Sequence, residues 1–211
     1  MSEVAPIVFV VDDDDMFRRS TERLIRTAGF NVQPFTSARD FLNHTRPQGP
    51  ACLILDVRMP GLSGIDLQAE LTRSGINIPI IFLTGHGDIP TSVRAMKAGA
   101  TEFLTKPFKG PVLLDAIRAS LDKNRAALQK QSEVESLRGL HGNLTPRERE
   151  VMTLVTAGLL NKQIAGKLNT SEATIKFHRA HIMKKMGADS LADLIRMAEK
   201  LGPSDAGRLS T

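Results

Sequence analysis

The sequence predicts a doubly wound α/β domain followed by a small all-α domain, and three observations carry that prediction. Over residues 1–124, short apolar runs alternate with amphipathic stretches, the pattern of strands and helices that build a parallel sheet covered on both faces. After residue 144 no strand-like run occurs, and four helical periods follow one another. Charge divides the same way. Residues 1–124 carry 14 Lys/Arg and 14 Asp/Glu, whereas residues 144–211 carry 11 against 7, the balance of a polyanion-binding module.

The apolar runs are Ile7–Val11, a short one near Asn31–Phe35, Cys52–Leu55, Ile78–Leu83 and Glu102–Leu104. Helical patterns fall near residues 15–28, 37–45, 64–74, 90–98 and 110–124. Five of each suit one domain of the usual size. Residues 121–142 then read as a mostly polar helix ended by a break at Gly139 and Gly142. Leu114, Leu121 and Leu128 recur every seven residues with Ile117 between them, while Asn124, Gln131 and Arg138 interrupt the other stripe. A solvated connector and a coiled-coil dimer linker both fit that pattern.

Four further helices are expected near 146–157, 161–168, 171–186 and 190–200. Thr145 caps the first, Pro146 suits its first position and Glu148 completes a capping box. Gly158 ends that helix, and Asn161 and Ser171 are placed to cap the next two. The expected division is a first domain at 1–124, a helical linker at 125–143, a helical domain at 144–203 and a flexible tail at 204–211.

The apolar share of 41% supports a packed core, and no run reaches the roughly 18 apolar residues of a membrane span. The start MSEVAPIVFVVDDDD lacks the basic opening and cleavage pattern of a signal peptide, so a cytoplasmic protein with no membrane partner is expected. Cys52, the one cysteine, lies in the apolar run ACLILDV and reads as a small core residue.

In an open α/β sheet the reactive site lies beyond the carboxyl ends of the strands. Here the first strand ends in Asp12-Asp13-Asp14-Asp15, the third in Asp56, the fourth in Thr84 and the fifth in Lys106. Carboxylates gathered in one cleft repel unless a cation neutralises them. Mg²⁺ suits hard oxygen ligands and pairs readily with carboxylates and a phosphate oxygen. With it, Asp56 could act as a carboxylate nucleophile toward phosphorus, with Lys106 and the Thr84 hydroxyl receiving the phosphoryl oxygens and Gly85 leaving room for them. Pro60, Gly61 and Gly64 read as turn residues only.

The stretches VFVVDDDD, LILDVRMPGLSGIDL and FLTGHGDIPTSVRAMKAGATEFLTKPF, in this order, resemble the receiver domain of two-component response regulators. The resemblance implies a flavodoxin-like sheet of order 2-1-3-4-5, phosphoacceptance by Asp56, and Mg²⁺ binding by Asp12, Asp13, Asp56 and the backbone carbonyl of Arg58. It implies a conformational switch at Thr84 and Phe103, where the absent ring hydroxyl leaves only apolar packing to move. It also implies a cis Lys106-Pro107 bond and phosphotransfer from a sensor histidine kinase. Asp14 and Asp15 match no required position and read as solvated acids opening the first helix.

On a helical wheel of residues 171–186, Ile175, Ile182 and Met186 share one face, with Ala165 and Leu168 of the preceding helix as packing partners. The opposite face carries Ala173, Lys176, Phe177, Ala180, His181 and Lys184, an arrangement suited to a recognition helix in the major groove. The segment LTPREREVMTLVTAGLLNKQIAGKLNTSEATIKFHRAHIMKKM is similar to the LuxR-type helix-turn-helix of the NarL/FixJ group. By that likeness Lys176, Phe177 and Ala180 face base edges, Lys184 and Lys185 face phosphates, and His181 joins the contact surface. His178 is expected in helix packing, and Arg179 either at a phosphate or in a salt bridge. Phe177 exposed on a basic face suits contact with a thymine methyl or a partner, and the lack of Trp and Tyr disfavours single-strand stacking.

The expectation is therefore a phosphorylation-dependent transcription regulator rather than an enzyme. Its only catalysis would be its own phosphorylation and slow dephosphorylation. Its partners would be a sensor histidine kinase, duplex promoter DNA, RNA polymerase and a second copy of itself when phosphorylated. Two rivals are a signalling adaptor that binds no DNA and a Mg²⁺-dependent phosphohydrolase with an aspartyl intermediate.

Overall fold

The computed structural model describes residues 4–45, 49–85 and 99–202; the helix expected near 90–98 and the tail at 204–211 lie outside them. The chain forms two compact units, Met1–Leu128 and Gln129–Thr211.

In the first unit the described elements are β1 (Ile7–Val11), α1 (Asp15–Thr27), β2 (Asn31–Phe35), α2 (Ala38–Asn43), β3 (Ala51–Asp56), α3 (Gly64–Arg73), β4 (Ile80–Thr84), β5 (Glu102–Thr105) and the start of α4 (Gly110–Gly142). The strands form one parallel sheet of order β2-β1-β3-β4-β5, as the receiver resemblance implies. Pro34 is tolerated in β2 because that strand is at the sheet edge, where one side of the backbone has no ladder partner to lose.

Successive side chains of a strand point to opposite faces, so each buried strand feeds two cores. Phe9, Val11, Leu53, Leu55 and Phe82 pack on one side with Phe41 of α2 and Leu67 and Leu71 of α3. Val8, Val10, Cys52, Ile54, Ile81 and Leu83 pack on the other with Ile25 of α1 and Leu113, Ile117 and Leu121 of α4. Cys52 is fully buried there, and burial pushes its thiol up to about 12, which suits an inert core residue.

Helix α4 differs from expectation. It runs unbroken from Gly110 to Gly142, through Gly139. Its heptad leucines are not a free seam: Leu121 and partly buried Leu114 belong to the first unit's core, and only Leu128 is exposed. Asn124, which interrupts the other stripe, is buried. Its Oδ1 accepts the Ala51 N–H at 2.8 Å, and its Nδ2 donates to the Asn77 carbonyl at 3.2 Å. Further along, Leu137 and Leu140 enter the core of the second unit, and their burial carries the helix past Gly139.

That second core is closed by α5 (Pro146–Thr156), α6 (Asn161–Lys167), α7 (Glu172–Met186) and α8 (Leu191–Leu201) around Val151, Val155, Ile164, Ile175, Ile182, Met186 and Leu194. Thr145 and Glu148 form the expected capping box, and Gly158 takes a left-handed φ of 85° after α5. Ser171 caps α7 by accepting the Thr174 N–H. Asn161 does not cap α6. Leu160 holds that place, with its N–H donating to Gln163 Oε1 at 2.8 Å. The turn from α6 to α7 is set by Asn169 at φ 49°, which lets the Thr170 N–H reach back to the Ala165 carbonyl at 3.0 Å.

Candidate functional site

Three strand ends and one helix start build a pocket at the carboxyl edge of the sheet. β1 delivers Asp12 (1% exposed) and exposed Asp13, β3 delivers Asp56 (9% exposed), and the chain leaving β5 delivers Lys106. One carboxylate oxygen from each of Asp12, Asp13 and Asp56 lies within 4.8 Å of the others. Lys106 Nζ donates to Asp12 Oδ2 at 2.7 Å and stands 3.4 Å from Asp56 Oδ2. The Lys106-Pro107 bond is cis, and the Lys106 N–H donates to the Thr84 carbonyl at 2.6 Å, so the lysine is tied to the end of β4.

Burial raises the Asp56 carboxyl above its ordinary value. The Lys106 charge opposes that rise, the Asp12 charge adds to it, and bonds from Lys106 and the Arg58 amide oppose it again. Two buried carboxylates and a third at the rim, with one ammonium between them, carry excess negative charge in little space. The donor set, three hard oxygens within reach of one ion, fits Mg²⁺.

Thr84 is buried at the end of β4, and Phe103, opposite Phe82 in the ladder, is partly buried with ring centroids 6.2 Å apart. At the head of α1, Asp14 caps the helix by accepting the Phe17 N–H, while Asp15 pairs with Arg18 and Arg19. Arg18 NH1 also donates to the Asp12 carbonyl at 2.9 Å, so the helix start braces the acidic strand end.

Gly64 is more than a turn residue. A Cβ there would stand 2.2 Å from the carbonyl oxygen of Asp56, because the first turn of α3 passes directly over the strand end. The second glycine of GLSGIDL carries no sequence signal of a contact eight residues back.

In the second unit, α7 buries Ile175, Ile182 and Met186, and leaves Ala173, Lys176, Phe177, Ala180, His181 and Lys184 exposed. Phe177 is 58% exposed, and its ring lies 4.1 Å from that of His181, centroid to centroid. Lys185 Nζ donates to Glu148 Oε2 at 2.6 Å, so its ammonium has a partner within the unit. Glu148 is buried. Desolvation would raise its carboxyl, but bonds from Lys185 and from Thr145 outweigh that and lower it to about 2. Arg179, left open above, donates to Asn161 Oδ1 at 3.0 Å. His178 is partly buried.

Residues 8–118 match the response regulator receiver domain family, and residues 142–198 match the luxR family of bacterial regulatory proteins. Nodulation protein W of Bradyrhizobium diazoefficiens is 55% identical over 198 residues, covering 94% of this chain and 87% of that one. Response regulator protein TodT of Pseudomonas putida is 45% identical over 204 residues, covering 97% and 90%. Among solved structures, that of the response regulator StyR superimposes with a TM-score of 0.84 at 51% identity, covering 93% of this chain and all of that one.

Proposed function

Because the chain belongs to the response regulators that join a receiver domain to a luxR-family DNA-binding domain, and is thus a DNA-binding transcriptional regulator of a two-component system, we propose that Asp56 is its phosphoacceptor and that phosphorylation there governs dimerisation and promoter binding. The observation that carries the proposal is the convergence of Asp12, Asp13, Asp56 and Lys106 from three different strand ends.

The step is a transfer of a phosphoryl group from a phosphohistidine of a sensor kinase. An Asp56 carboxylate oxygen forms a bond to phosphorus as the phosphorus–nitrogen bond breaks, and the departing imidazole keeps the electron pair and takes up a proton. Asp12, Asp13, Asp56 and the Arg58 carbonyl would hold Mg²⁺, which when bound neutralises charge on the transferring oxygens. Lys106 pairs with one phosphoryl oxygen, and the Thr84 hydroxyl donates to another. Drawing Thr84 inward would let Phe103, which now lies 6.2 Å from Phe82 centroid to centroid, repack. Acetyl phosphate would serve as an alternative donor, and water would slowly release the phosphate.

At the promoter, Lys176, Phe177, Ala180 and His181 of α7 face the bases and Lys184 a phosphate, with Lys185 reassigned to hold Glu148. Two phosphorylated copies would present two such helices to half-sites one helical turn apart, beside RNA polymerase. No helix among the described residues is long and apolar enough to cross a membrane, and the DNA-binding role supports a cytoplasmic location.

The decisive experiment is intact mass after incubation with acetyl phosphate and Mg²⁺, followed by mobility shift on promoter fragments. One added phosphoryl group on the wild type and none on Asp56→Asn is expected, with tighter DNA binding by the phosphorylated form. Labelling that survives in Asp56→Asn would refute the assignment.

A further inference from the structure

Lys106 Nζ has a third neighbour besides Asp12 and Asp56: it sits 3.8 Å from the centroid of the Phe17 ring. An ammonium has three N–H donors. Here one donates to Asp12 at 2.7 Å, Asp56 is paired at 3.4 Å, and the ring covers part of the rest of the group. The lysine side chain is only 16% exposed.

The ring is itself held. Phe17 lies in the first turn of α1, its N–H bonded to the Asp14 cap, and it meets Phe108 edge-on at 5.7 Å and 87°. Phe108 follows Lys106 by two residues, so α1 and the lysine segment grip one another through this aromatic pair. Asp12 makes the shorter contact with the ammonium, at 2.7 Å, and the ring packs against the same group at 3.8 Å. A π face offers attraction without a second negative charge, and a partly desolvated cation over a ring gains more than an exposed one.

We propose that Phe17 is a positioning residue for phosphotransfer: its π face holds the Lys106 ammonium at the pocket wall, poised for the incoming phosphoryl oxygen. The proposal rests on Asp56 being the phosphoacceptor. The step concerned is attack of an Asp56 oxygen on the phosphorus of acetyl phosphate, with the phosphorus–oxygen bond to the acetyl group breaking and acetate leaving with the electron pair. Preorganising the lysine lowers the barrier because the ammonium, already 3.4 Å from Asp56 Oδ2, needs little movement to meet the incoming oxygen.

The test uses the full chain with Mg²⁺ and acetyl phosphate, reading the rate constant of aspartyl-phosphate formation. Phenylalanine at position 17 is replaced site-specifically by 4-fluoro-, 3,5-difluoro- and pentafluorophenylalanine, which weaken the π face stepwise at nearly constant shape. Phe17→Tyr keeps the face and Phe17→Leu removes it. A stepwise fall with fluorination is expected, reaching about three- to tenfold for pentafluorophenylalanine and Phe17→Leu, with Phe17→Tyr close to wild type. A side chain that merely fills space would give one rate across the fluorinated series, and that flat result, or a rise, overturns the proposal. A wild type that takes no phosphoryl group at all sinks the Asp56 assignment and this proposal with it, whereas a labelled wild type with a flat series sinks only this one.

Discussion

Lys185 and Lys184 are neighbours in sequence with opposite environments, and the difference can be measured. Lys184 is exposed, while Lys185 is bonded to a carboxylate that is itself buried. Lys185→Met would leave Glu148 without its cation, and loss of a charged partner typically costs about 1–3 kcal/mol. The expected reading is a lower urea midpoint for the second unit, followed by far-UV circular dichroism because the chain has no Trp or Tyr. The same contact makes a pH prediction. In the folded chain the Glu148 carboxyl is lowered to about 2 from an ordinary 4.5, so the unfolded chain binds the proton first. The stabilisation is complete above about 4.5 and is lost as pH falls from there through about 2. Acid titration of Glu148→Gln should lack that loss, and a profile identical to wild type would show the pair to be energetically silent.

Two local backbone features have effects larger than their residue types suggest. Gly64 opens α3 against the Asp56 carbonyl, where a methyl group would stand at 2.2 Å. Gly64→Ala must push the helix start off the strand end, and overpacking of this kind costs about 1–3 kcal/mol. Because the displaced atom belongs to Asp56, slower phosphorylation by acetyl phosphate should accompany the lower melting temperature. Asn169 holds the turn between α6 and α7 at φ 49°. Replacement by Ala puts a Cβ in a left-handed conformation and should cost about 1–2 kcal/mol, whereas Asn169→Gly should be close to neutral. Equal effects of the two would mean that the Asn side chain, not the backbone, holds the turn. Helix α4 shows the limits of periodicity at this scale. Its leucine spacing matches a coiled coil, but Leu121 and Asn124 face the sheet, a choice made by the Ala51 N–H and Asn77 carbonyl that Asn124 satisfies.

For the molecule as a whole, DNA affinity should fall steeply with salt, since neutralising phosphates releases counterions with a log–log slope of about 0.9 per contact. Lys184→Gln should flatten that slope by about one contact per recognition helix, whereas Lys176→Gln, facing a base, should weaken binding chiefly at its target base pair. Lys185→Met should lower stability while leaving the slope near wild type. A slope reduced as much by Lys185→Met as by Lys184→Gln would return Lys185 to the phosphate surface. Charge supports the separation of tasks: the first domain is balanced, and the basic excess resides beyond residue 144.

The sequence by itself determined the strands and helices, the strand-end acids and the buried stripe of the recognition helix, because each is a local period or a residue at the end of one. The sheet order followed from the resemblance to receiver domains, and the candidate pocket was proposed from a comparison of those strand ends. Tertiary structure alone decided which neighbour each polar group takes. Lys106 is shared among Asp12, Asp56 and the Phe17 ring, Lys185 goes to Glu148, Arg179 to Asn161, and Gly64 lies over Asp56. Such contacts join residues from 8 to 94 positions apart in this chain. No periodicity records them, since they arise only when separate elements pack and bring their ends within a few ångströms.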